Sequence, residues 1–173
     1  MKFYKVLLTF FICSNALGFI SSTNFSLEIA QNHSKYQESY NSTFNVGLSK
    51  RFILEQTHLE FGAKTLLDSP QSETFSNQDV NTKIKGIRLD SIFIHQVTKE
   101  FLPFFAIHYN SLKETFSNKK TKSLILTNKV KKMNFSIGAE FPNKIFIPYV
   151  ALGASDGVNN YSFAIGAKWI GVD

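Results

Sequence analysis

The arrangement in this chain that comes nearest to nucleophilic chemistry is His108-Tyr109-Asn110-Ser111, a histidine with a serine three residues on. Acyl transfer needs an imidazole that takes the hydroxyl proton as the oxygen attacks. On a strand, residues three apart point to opposite faces, so His108 and Ser111 cannot share that hydrogen bond. The other histidines, His33, His58 and His95, have no metal-ligand spacing to one another. The one cysteine, Cys13, lies in an N-terminal segment with the look of a leader, leaving no thiol nucleophile or cysteine-based zinc site beyond it. No glycine-rich phosphate loop is present. The expectation is a protein that is not an enzyme, with no catalytic residue, metal site or cofactor.

The lysines suggest a different chemistry. Lys113, Lys119, Lys120, Lys122 and Lys129, followed by Lys131 and Lys132, are opposed in that stretch by Glu114 alone. A lysine-rich surface run attracts polyanions, which makes Lys113, Lys119, Lys120, Lys122 and Lys129 a candidate polyanion-binding loop. The whole chain has 19 Lys and Arg against 13 Asp and Glu, a formal net charge of +6. Two of those charges, Lys2 and Lys5, sit in the leader, so the basic excess of the remainder is local.

The elements that hold these side chains are legible as strands. In Lys132 to Phe141, Met133, Phe135, Ile137, Ala139 and Phe141 share one face while Lys132, Asn134, Ser136, Gly138 and Glu140 share the other. Comparable runs occupy 24–31, 41–50, 57–66, 84–96, 102–112, 130–141, 145–154 and 160–170. No stretch after the leader approaches the ~20 continuous apolar residues of a membrane helix. The polar parity carries Glu28, Glu60, Lys64, Arg88, Asp90, Lys132, Glu140 and Lys168, too many charges for the core of a soluble sandwich. An outer-membrane barrel solves this by turning the apolar face to lipid and keeping the polar face within. The pattern predicts an all-β protein, an eight-stranded antiparallel up-and-down transmembrane β-barrel, with those eight residues as a lumenal polar network. So narrow a lumen is filled by its side chains. Pro148 is expected at a local gap or bulge, since it cannot donate to a ladder.

Connections alternate in length. Segments 32–40, 67–83 and 113–129 are long, whereas 51–56, 97–101 and 142–144 are short. Barrels of this kind have short periplasmic turns and longer extracellular loops. At the N-terminus, Lys2 and Lys5 precede an apolar core from Val6 to Ile12 and the small-x-small triplet Ala16-Leu17-Gly18. This pattern predicts a signal peptide over 1–18, extending to about 23 at most, and a single barrel domain over 19–173.

A family resemblance rests on Ile147-Pro148-Tyr149-Val150-Ala151-Leu152-Gly153-Ala154 and on Tyr161-Ser162-Phe163-Ala164-Ile165-Gly166-Ala167-Lys168-Trp169. These resemble the last two strands of small Gram-negative outer-membrane barrels, the opacity-protein and adhesin-like group. Members of that group usually end on an aromatic residue, whereas here Trp169 is followed by Ile170-Gly171-Val172-Asp173. The resemblance implies location in the cell outer membrane and a structural or surface-interaction role through extracellular loops. It also implies as partners outer-membrane lipid and lipopolysaccharide, the outer-membrane assembly machinery and an acidic host-surface ligand, with no nucleic acid. Three alternatives go with it: a small channel, a secreted calycin-like ligand-binding barrel, and a lipid-acting barrel enzyme. For the last, His108-Tyr109-Asn110 resembles the His-x-Ser element of the outer-membrane lipid A deacylase, with Asn110 in the serine's place.

Overall fold

The computed structural model describes residues 20–34, 39–67, 71–75, 78–155 and 161–171, so the signal-peptide segment lies outside the described residues. The strands are β1 (Ser21–Ser34), β2 (Ser39–Leu54), β3 (Thr57–Leu67), β4 (Gln71–Phe75), β5 (Gln78–His95), β6 (Leu102–Asn118), β7 (Leu124–Glu140), β8 (Ile147–Ser155) and β9 (Tyr161–Gly171). Each of the eight predicted runs forms one of them. Sequence neighbours pair antiparallel except β3 and β4, β1 pairs with β9, and β3 pairs with β5 to close the ring. The short β4 pairs with the first residues of β5, beyond the point where β3 stops, so β3 and β4 together make one stave of an eight-stave barrel.

Register fixes the size of that barrel. One row of facing residues runs Ser22, Arg51, Glu60, Ile92, Ala106, Ser136, Gly153, Ser162 and returns to β1 at Asn32. The stagger from Ser22 to Asn32 is thus ten positions. With a rise of ~3.3 Å per residue and a strand spacing of ~4.8 Å, it corresponds to a strand tilt of about 40° and a backbone diameter of about 16 Å.

The facing follows the predicted parity. Phe135, Ile137, Phe163 and Ile165 are 42%, 62%, 42% and 54% exposed, and Phe25, Ile29, Leu48, Ile87 and Leu152 share the outer surface with them. A secreted calycin-like barrel needs the reverse polarity, and this structure excludes it. An apolar outer wall of this extent, broken only by small polar residues such as Thr65 and Ser91, fits against lipid. Near the short turns the wall carries an aromatic girdle: Trp169 packs on Phe25 and Phe146 with ring centroids 6.0 and 6.2 Å away, and Phe101 lies 5.8 Å from Phe141. Rings of this kind belong at the membrane interface.

Several expectations are corrected. The long connection expected at 67–83 holds β4 and the start of β5. The segment 113–129 is not an irregular loop, because β6 runs on to Asn118 and β7 begins at Leu124, leaving a tight turn between them. β-Prone Thr, Phe and Leu continue the ladder beyond the apolar belt. Pro148 is the second residue of β8 rather than an interior gap. Its carbonyl accepts the Phe141 N–H at 2.9 Å, and the Asn143 side chain caps the preceding turn by accepting from the N–H groups of Ile145 and Phe146.

Candidate functional site

Inward parity on eight tilted staves brings the charged residues together in two groups. Nearest the short turns, Glu60 and Glu140 are fully buried and share two cations. Lys168 Nζ lies 2.8 Å from Glu60 and 2.6 Å from Glu140, while Arg51 donates from Nε to Glu60 and from Nη2 to Glu140, both at 2.8 Å. Ser49 donates to Glu60 at 2.7 Å. The sequence pattern predicts a turn over 51–56, whereas β2 continues to Leu54 and brings Arg51 into the lumen. Its parity with Asn45 and Ser49 was the available signal.

The second group is centred on Glu28. Arg88 grips it with two nitrogens at 2.7 and 2.8 Å, Lys64 Nζ reaches it at 2.7 Å, Asn45 donates at 2.8 Å and the Tyr149 hydroxyl donates at 2.7 Å. Tyr149 lies flat across Gly166, where an added Cβ would sit 2.3 Å from the ring. Glycine there makes room for the phenol, and nothing in the apolar run Ile147-Pro148-Tyr149-Val150 marks Tyr149 as a polar partner. Arg88 Nε also lies 2.9 Å from Asp90. Lys132, grouped with these residues from sequence, faces Asn110 nearer the long-hairpin end and makes no ion pair with a described residue.

Asp90 carries the chain of contacts onward. Its Oδ1 lies 2.8 Å from His108 Nδ1, and His108 Nε2 lies 2.7 Å from the Ser136 hydroxyl. Asp90 and His108 face each other across β5 and β6, and Ser136 stands two residues along β7 from Asn134, the partner of His108. Ser111 points outward and is exposed, as strand geometry requires. The serine that meets His108 comes from the next strand. Above this trio is a cavity of about 200 Å³, lined among others by Leu66, Ile84, Leu112, Glu114, Lys132 and Tyr161. His58 is buried near the short turns and His95 is exposed at a strand end. No cluster suited to a metal occurs among the described residues.

Outside the wall, Lys113 faces Lys129 across β6 and β7, and both are exposed. Lys119, Lys120 and Lys122 occupy the hairpin turn. Asn118 organises it: its side chain accepts from the N–H groups of Lys120 and Thr121 at 2.9 and 3.0 Å, and Lys122 adopts a positive φ of 55°. From Tyr109, the last apolar outward residue of β6, to Asn118 the strand climbs roughly 20 Å along the barrel axis.

No protein-family model and no curated protein matches the chain. Among solved structures it is similar to Ail, the attachment invasion locus protein of Yersinia pestis, in complex with the heparin analogue sucrose octasulfate. The TM-score is 0.59 at 10% identity, over 87% of this chain and 97% of that one. It is also similar to neisserial surface protein A, with a TM-score of 0.52 at 10% identity over 87% and 95% of the two chains. The N-terminal β-barrel domain of Pseudomonas aeruginosa OprF gives 0.51 at 13% identity over 88% and 100%. The fold is that of the small eight-stranded outer-membrane β-barrels.

Proposed function

We propose that the chain is a cell-surface protein of the outer membrane whose β6–β7 hairpin captures an acidic partner, with a sulfated or carboxylated host polysaccharide as the chemical class. The observation that carries this reading is the hairpin itself. It holds Lys119, Lys120 and Lys122 in an exposed turn and sets Lys113 opposite Lys129. Like charges directly opposite on a sheet repel, so an anion between them is stabilising. The complex of Ail with a heparin analogue supports the same class of ligand. Around the belt, outer-membrane lipid and lipopolysaccharide are the neighbours, and insertion falls to the assembly machinery that serves such barrels.

The test is retention of cells or purified barrel on immobilised heparin. Changing Lys119, Lys120 and Lys122 to Gln removes three exposed charges worth about 0.5 kcal/mol each, so binding should weaken on the order of tenfold. Wild-type binding should fade as salt rises, since exposed charges are screened beyond ~10 Å at 0.1 M ionic strength. Salt-independent retention, or retention unchanged in the triple variant, refutes the hairpin as the arm.

A further inference from the structure

We propose that Ser136 is a nucleophile activated by His108 and oriented through Asp90, and that the lumenal cavity admits small carboxylic esters for acyl transfer to Ser136 and onward to water. This is separate from the surface reading and shares no residue with it.

The geometry meets the first requirement of such chemistry, a continuous nucleophile, base and orienting carboxylate. The Ser136 hydroxyl is 2.7 Å from His108 Nε2, and His108 Nδ1 is 2.8 Å from Asp90 Oδ1. With the Nδ1 proton donated to Asp90, Nε2 is the acceptor that takes the serine proton. All three residues project from β5, β6 and β7, so strand pairing rather than a loop fixes their positions. Arg88, 2.9 Å from Asp90 through Nε, further restrains the carboxylate.

The surroundings meet the second, a place for substrate. Asp90, His108, Ser136, Gly153 and Ser162 all line the cavity. Ser136, Gly153 and Ser162 follow one another along a single cross-strand row. A Cβ built on Gly153 would lie 2.5 Å from Ser162 Oγ and 3.5 Å from Ser136 Cβ. Glycine there leaves room for the Ser162 hydroxyl itself, which lies over residue 153 on the side of Ser136. A carbonyl group entering from the cavity that both serines line meets Ser136 as nucleophile and the Ser162 hydroxyl as a donor for its oxygen. Leu66, Ile84 and Leu112 offer an apolar wall for a short acyl chain.

In the reaction, Ser136 Oγ bonds to the ester carbonyl carbon while its proton passes to His108 Nε2. The carbonyl oxygen takes up negative charge beside the Ser162 hydroxyl. The bond to the alcohol oxygen then breaks, and that oxygen leaves with the proton from Nε2. Water completes the cycle: its proton goes to His108, its hydroxide bonds to the acyl carbon, and the Ser136 oxygen regains the proton as the carboxylic acid departs.

The experiment treats the folded barrel in detergent micelles with diisopropyl fluorophosphate and with 4-nitrophenyl acetate, followed by intact-mass measurement and peptide mapping. One phosphoryl adduct per chain on Ser136 is expected, with release of 4-nitrophenolate. Ser136→Ala should abolish both, and His108→Gln should slow labelling at least ~100-fold. Asp90→Asn should also slow it, while Ser162→Ala should lower ester turnover more than phosphorylation. Migration of unheated samples in electrophoresis verifies that each variant is folded. The wild-type mapping needs no variant. Absence of an adduct on Ser136, labelling spread over exposed serines such as Ser111 and Ser123, or a Ser136 rate that a folded His108→Gln protein retains, overturns the proposal and leaves the trio as a strut of the lumenal network.

Discussion

Arg51→Ala is the most searching perturbation of the lumenal charges. Arg51 and Lys168 together neutralise two carboxylates, Glu60 and Glu140, none of which is more than 4% exposed. Removing Arg51 leaves one cation between two buried anions. At an effective dielectric of about 20, unit charges ~4 Å apart interact by about 4 kcal/mol, and Arg51 has two such partners. Part of that attraction only offsets the cost of burying the guanidinium, so the expected net loss is about 3–5 kcal/mol. The assay is urea unfolding in lipid vesicles, read by fluorescence of Trp169, the single tryptophan, which packs against Phe25 and Phe146 in the girdle. The double variant Arg51→Ala with Glu60→Gln restores charge balance, because Lys168 keeps Glu140 at 2.6 Å. It should recover about 1–3 kcal/mol of the loss. A cost below about 1 kcal/mol for Arg51→Ala, or a Glu60→Gln change that adds to the damage, refutes the account of four mutually dependent charges.

Gly166→Ala places a methyl group 2.3 Å from the Tyr149 ring and pushes its hydroxyl away from Glu28 and Lys64. Overpacking plus a broken hydrogen bond should cost about 2–4 kcal/mol in the same unfolding assay, more than the ~1–2 kcal/mol expected for Tyr149→Phe, which loses the hydrogen bond alone. Phe163→Arg sets a charge in the lipid-facing belt and should cost ~2–4 kcal/mol of insertion free energy, whereas Thr127→Arg, beyond the belt on β7, should insert into vesicles as the parent does. Equal behaviour of the two arginine variants contradicts the facing of the wall.

Strand positions and facing were legible because a barrel wall in lipid keeps its outward positions apolar at period two, even where inward positions such as Ile92, Ile94 and Leu102 are apolar as well. Met133 to Phe141 shows this most openly, and Phe163 to Trp169 repeats it. The strands' outer extensions were not legible. Beyond the belt both faces of β6 and β7 are in water, so Thr115, Ser117, Thr127 and Asn128 carry no alternation, and the ladder continues there on backbone hydrogen bonds with long side-chain links from Asn128 to Glu114 and from Ser117 to the Asn81 carbonyl, both 3.4 Å. Ser136 was invisible as a partner of His108 for a related reason. A linear motif reports neighbours along one strand, whereas this contact depends on the register between β6 and β7. Arg51 stands outside the eight lumenal charges because the expected turn at 51–56 cuts β2 short, whereas Lys132 shares their facing but lies nearer the long-hairpin end, since parity gives the facing of a residue but not its height in the barrel.

Height is what the buried charges themselves decide. Any slip between neighbouring staves must be by two residues, or every apolar side chain turns into the lumen and every charge into lipid. A two-residue slip preserves facing and costs the belt almost nothing, since one apolar residue replaces another against acyl chains. In the lumen the same slip moves partners apart by ~6.6 Å. Sliding β7 against β2 and β9 takes Glu140 away from both Arg51 and Lys168, and sliding β5 takes Arg88 from Glu28 and Asp90 from His108. Each displaced group is then an unpaired charge in a confined space. The lipid-facing residues therefore select the barrel class and the facing of its strands, whereas the stagger of ten positions is selected by Glu28, Glu60, Asp90 and Glu140 finding their cations. The network that pins this register is also what holds Asp90, His108 and Ser136 in line.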